Sequence, residues 1–190
     1  MTRNLQEHIL KTASELFYCH GIKATGIDTI IKATGVAKMS LYKYFPSKND
    51  LILAHLQRSA VFLTNSIING ISQKAKQPDQ QLLAIFDVFD EIVCNPEFRG
   101  CPFINATAEF AETGHPVQQA TAKFYQGFCE IMSDLARQAG AKDADLLAEQ
   151  LAMLISGAIV REQVQKGIGA IPTAKAAAEV LILQSLQTKT

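Results

Sequence analysis

Apolar residues recur at spacings of three and four almost from end to end of this chain, a period that admits little but α-helices. No stretch alternates apolar and polar residues over a useful length, so no pair of strands for a hairpin is marked. The chain is therefore expected to be all-α, with about nine helices separated by glycine, proline and serine. The first covers residues 4–20 and ends at Gly21. A short second helix follows Thr25, which can cap it with Asp28 three positions on, and stops at Gly35. The third covers 38–44, and Ser47 caps a long fourth over 48–71. The rest fall at about 79–94, 102–111, 115–138, 143–166 (capped by Asp143) and 172–186 (opened by Pro172), with a break at Glu112-Thr113-Gly114.

Length and charge narrow the function. A chain of 190 residues, 48% of them apolar, can form a small domain joined to a medium one. Its net charge of zero is unevenly spread: residues 1–50 carry seven basic and four acidic groups, and the rest carry the balancing excess of acid. A basic head on an acidic body suits binding to phosphates. The first residues are polar and charged, unlike a signal peptide, and the longest apolar run, 151–160, is about half a membrane span. A cytoplasmic protein without a membrane partner is expected. The four cysteines lack CxxC spacing and the four histidines lack helical ligand spacing, so neither metal nor cofactor is expected. No Ser-His-Asp order or glycine-rich phosphate loop suggests an enzyme.

The informative stretch is 25–51, TGIDTIIKATGVAKMSLYKYFPSKNDL. Two short helices joined by a glycine-containing turn make a helix-turn-helix, whose second helix fits the major groove, about 12 Å wide. Ile27, Ile30, Ile31, Val36, Leu41 and Phe45 are expected inside. Lys38, Met39, Ser40, Tyr42, Lys43 and Tyr44 face outward, a set of donors and flat rings. With Lys48 at the start of the next helix, the tyrosines make a clamp for phosphate.

The pattern Thr25…Ile30…Gly35-Val36…Leu41-Tyr42-x-Tyr44-Phe45-x-Ser47-Lys48-x-x-Leu51 strongly resembles the DNA-binding domain of the tetracycline-repressor (TetR) family. The resemblance covers roughly residues 5–55. It implies a homodimer on double-stranded DNA, a C-terminal domain holding a small-molecule inducer, and in most members repression. By position it implies that Thr25 caps the second helix and touches a phosphate, that Tyr42, Tyr44 and Lys48 hold the DNA backbone, and that Lys38, Met39, Ser40 and Lys43 reach bases. Met39 and Ser40 replace the Gly and Thr common in the family, so the operator sequence does not carry over. The domains expected are a DNA-binding head, 1–50, and a ligand-binding and dimerising body, 51–190.

The body is rich in aromatics. Phe62, Phe86, Phe89, Phe103, Phe124 and Phe128 are candidates to line a pocket for a largely apolar effector, with Asn105, Glu109 and His115 to orient it. Cys101, close to Arg99 and a helix start, is the candidate for an alternative thiol-based switch, with a disulfide to Cys94 conceivable. An architectural DNA binder without an effector is a further alternative. Helices eight and nine, about 143–187, are apolar beyond one stripe and are expected to form a four-helix dimer interface.

Overall fold

A computed structural model of the chain describes residues 2–112 and 114–186. Thr113, in the expected break, and Gln187, at the end of the expected dimer surface, lie outside the described residues. Among those described there are nine α-helices and no strand. They are α1 (Thr2–His20), α2 (Ile27–Thr34), α3 (Lys38–Tyr44), α4 (Lys48–Lys74), α5 (Pro78–Val93), α6 (Pro102–Glu109), α7 (Pro116–Gln138), α8 (Ala144–Val164) and α9 (Ala170–Leu186).

Most ends follow the expected chemistry. Ser47 accepts the Asp50 N–H at 3.1 Å and donates to the Asp50 carboxylate at 2.7 Å, closing the first turn of α4. The Asp143 side chain accepts the Leu146 N–H at the start of α8. Several starts shift by one or two residues, and two of them change the expected chemistry. Helix α9 opens two residues before Pro172, which costs nothing because first-turn N–H groups have no helical partner. Thr25 does not cap α2: Gly26 occupies that position without a side-chain bond. The Thr25 hydroxyl instead donates to the Gly21 carbonyl at 2.7 Å and the Leu16 carbonyl at 3.4 Å, tying the turn back to the last part of α1.

The helices form two packing units. One holds the chain up to Val61 together with Pro102–Ala122; the other holds Phe62–Cys101 and the chain from Lys123 onward. Packing therefore does not divide the chain at residue 50, since α6 and the first two turns of α7 group with α1–α3. In the first unit α1 packs on α2 and α3 through Ile9, Ala13 and Phe17, which meet a core containing Ile30, Leu41 and Phe45. In the second, α5 packs on α8 and α9, and Leu82, Ile85, Phe86, Leu151 and Ile155 are buried. Helix α4 is long and apolar enough to cross a membrane by length and composition. Its Leu51, Ile52, Leu56, Leu63, Ile67 and Ile71 are nevertheless buried within the protein.

One carboxylate fixes the α8–α9 turn. Glu162, only 4% exposed, accepts the Gly167 N–H at 2.8 Å and the Ala170 N–H at 2.7 Å. The second is a free donor in the first turn of α9, where negative charge is favourable. Glu162→Ala is expected to lower stability by about 2 kcal/mol, the scale of two part-buried donors left unpaired, as measured by urea unfolding.

Candidate nucleic-acid interface

The first unit contains a compact helix-turn-helix. Ile30 and Leu41 are fully buried, which fixes the rotation of α2 and α3. Gly35 ends α2 at φ +67°, where a side chain is disfavoured, and its N–H closes onto the Ile31 carbonyl. Ala37 opens α3, with its carbonyl accepting from Ser40 and Leu41.

Burying Leu41 turns the other face of α3 outward. Met39 is 87% exposed, Lys38, Tyr42 and Lys43 are exposed, and Ser40 and Tyr44 are half-buried. Lys38 lies 3.2 Å from Asp28 across the turn, a surface pair of little stabilising worth. Lys48, at the start of α4, donates to the Lys23 carbonyl at 3.5 Å. Burial pulls its amine below the usual lysine range, and the Glu109 carboxylate pulls it back. Thr25 is 2% exposed, with its hydroxyl turned to α1, so it supports the turn from inside and does not present a side chain to phosphate.

The other expected site residues scatter. In the first unit, Phe103 is core. The His115 Nδ1 accepts the Val117 N–H, and the ring stacks on Phe110 at 4.6 Å. Asn105 and Glu109 line a small cavity of about 160 Å³ with Phe17, Tyr18 and His55. In the second unit, Phe89 and Phe128 meet edge to face in the core, and Phe124 stacks on Phe128. Phe86 is buried at the edge of a groove of about 280 Å³ between α5 and α9. Phe62 is 66% exposed.

A larger groove of about 880 Å³ runs between α7 and α8, and none of the nine expected ligand residues lines it. Tyr125, Ala152 and Ser156 line one part; Glu130, Asp134, Asp145 and Glu149 lie along the rim, where Arg137 pairs with Asp134 and Asp145 at 2.7 Å each. Periodicity marks these only as half-exposed helix positions, so no sequence signal singled them out.

All four cysteines are free thiols, with no Cys94–Cys101 bridge. Cys101 is 8% exposed and hydrogen-bonded to the Tyr125 hydroxyl, whose acidity burial suppresses. A buried thiol lacks the open surroundings of a sensor. Among the described residues, no three His, Cys, Asp or Glu side chains gather as metal ligands.

Two family profiles match the chain. Residues 9–55 match bacterial regulatory proteins of the tetR family, and residues 78–178 match the tetracyclin repressor-like C-terminal domain. The chain is similar to the HTH-type transcriptional regulator YjdC of Escherichia coli, with 23% identity over 180 residues covering 93% of each chain. It is also similar to the HTH-type transcriptional regulator LmrA of Bacillus subtilis, with 25% identity over 141 residues, 73% of this chain and 74% of that one. Among solved structures, a TetR-family transcriptional regulator from Streptomyces coelicolor has a TM-score of 0.90 at 28% identity and covers 97% of both chains.

Proposed function

We propose that this chain, which belongs to the TetR family of bacterial transcription regulators, is a cytoplasmic repressor that binds a pseudo-palindromic operator as a homodimer and releases it when a small molecule occupies its body. The observation that carries the reading is the exposed face of α3, where Lys38, Met39 and Lys43 stand beside Tyr42 with Leu41 locked behind them. Donors and a methyl-bearing probe on a short helix behind a tight turn suit base edges and thymine methyls in the major groove. Lys48, with Tyr42 and Tyr44, supplies the contacts to phosphate that set register. Functionally, residues 1–50 read DNA and 51–190 dimerise and sense.

Dimerisation rests on α8 and α9. Leu147, Leu151, Ile155 and Ile159 are buried within the chain, whereas Leu146, Met153, Val160 and Val164 of α8 and Val180 and Leu183 of α9 are exposed. Gly157 lies on the exposed side of α8, with nothing within 4 Å of where a Cβ would be. A mid-helix glycine costs about 1 kcal/mol relative to alanine, and close approach of a partner helix would justify it. Met153→Glu combined with Leu183→Glu is expected to give monomers in sedimentation while helix content is retained. A dimer that survives both changes would move the interface elsewhere.

The α7–α8 groove is the proposed effector site. Tyr125, Ala148 and Ala152 offer an apolar wall, and Glu130 and Glu149, which are not among the carboxylates paired to Arg137, favour a positively charged end, so the effector is amphipathic and not wholly apolar. The head is tested without knowing operator or effector. Amide exchange with and without mixed-sequence duplex at low salt is expected to show new protection over residues 36–50. Protection confined to α8 and α9 would overturn the assignment.

A further inference from the structure

We propose that Glu109 is a positioning residue for DNA binding: its carboxylate seats in the turn after α1 and holds the backbone on which Lys48 rests. The proposal rests on the DNA-binding reading of Lys48 above. Glu109 Oε1 accepts the Ile22 N–H at 2.8 Å, and Oε2 accepts the Lys23 N–H at 2.6 Å. Two consecutive amides converge on one carboxylate because Gly21, at φ +87°, reverses the chain just before them. The approach is close enough that a Cβ on Gly21 would stand 3.3 Å from Oε1. Thr25 braces the same turn through the Gly21 carbonyl and ties it to α1 through the Leu16 carbonyl. Lys23 then offers its carbonyl to Lys48, while its own ammonium lies 5.3 Å above the Phe110 ring, next to Glu109.

Helix stability does not explain an acid at this position. Glu109 is the last residue of α6 and sits at the end of α1, so it faces the negative ends of two helix dipoles. The amides and the nearby lysines offset that cost only if the turn takes this shape. The contact spans 87 residues of sequence, so it ties α6 to the turn before the reading helices.

The sign of the effect on DNA affinity separates positioning from plain charge. Removing a negative charge beside a phosphate-binding lysine should by itself tighten DNA binding. Positioning predicts the reverse. The full chain is compared with Glu109→Gln, Glu109→Asp and Gly21→Ala, each checked for an intact thermal transition. Amide exchange is read without DNA, and affinity is read on a mixed-sequence duplex at two salt concentrations. All three variants are expected to exchange the Ile22 and Lys23 amides about tenfold faster and to bind about tenfold more weakly, the scale of one or two charge-assisted bonds. In a Lys48→Ala background, Glu109→Gln should lose little further affinity. Unchanged exchange, or faster exchange with equal or tighter DNA binding, would overturn the proposal. Wild-type protein that binds no duplex would instead defeat the DNA-binding reading itself, and this proposal with it.

Discussion

Lowering the pH from 7 to 4 is expected to remove about 3 kcal/mol of stability through His55 alone. The ring is 4% exposed, packs edge-on against Phe17 at 5.6 Å, and leaves Nδ1 without a hydrogen-bond partner. Burial, helped by the nearby Arg58 cation, pushes its pKa down to about 4. An unfolded chain takes up this proton near pH 6.5, whereas the folded chain resists until about pH 4. The stabilisation is therefore complete above pH 6.5, falls as the pH drops through that window, and levels off below 4. Urea unfolding at pH 7, 5.5 and 4 measures it. His55→Gln should remove this part of the slope whatever its stability at pH 7. An unchanged slope in the variant would mean that the ring accepts a proton in the folded state without penalty.

Tyr42→Ala and Lys48→Ala together are expected to weaken binding to every duplex by about a hundredfold at physiological salt, each contributing about one bond to phosphate. Only Lys48→Ala should change the salt dependence, reducing its slope by about one, because a neutral phenol releases no counterion. Changes at Lys38 or Lys43 should alter which base is preferred at particular positions. If Tyr42→Ala changed sequence preference and left overall affinity alone, Tyr42 would be a base reader and the clamp would need reassigning.

What was legible in the sequence was local. Gly35, Ser47 and Asp143 act within three or four residues of themselves, so their turns and caps can be read directly, as can the buried stripe of Ile30, Leu41 and Phe45 that rotates α3. Thr25 misled because a threonine before a helix competes between two ends. It serves the Gly21 and Leu16 carbonyls behind it, not the amides of α2 ahead. The Glu109 contact was illegible because its partners are backbone amides 86 and 87 residues away, and amides leave no mark in a sequence. The aromatics are ambiguous for another reason. Composition does not separate a phenylalanine that fills a core, such as Phe89 or Phe103, from one that lines a cavity. The α7–α8 groove arises where small residues such as Ala148 and Ala152 leave space, so what marks it is missing bulk.

In vitro selection of random duplex DNA on the purified chain tests the central claim most directly. The account predicts an enriched two-fold symmetric site, with half-sites about 34 Å or one helical turn apart, or a multiple of that spacing, matching two α3 helices in a dimer. Recovery of no preferred sequence, or of an asymmetric site bound by a single chain, would contradict it.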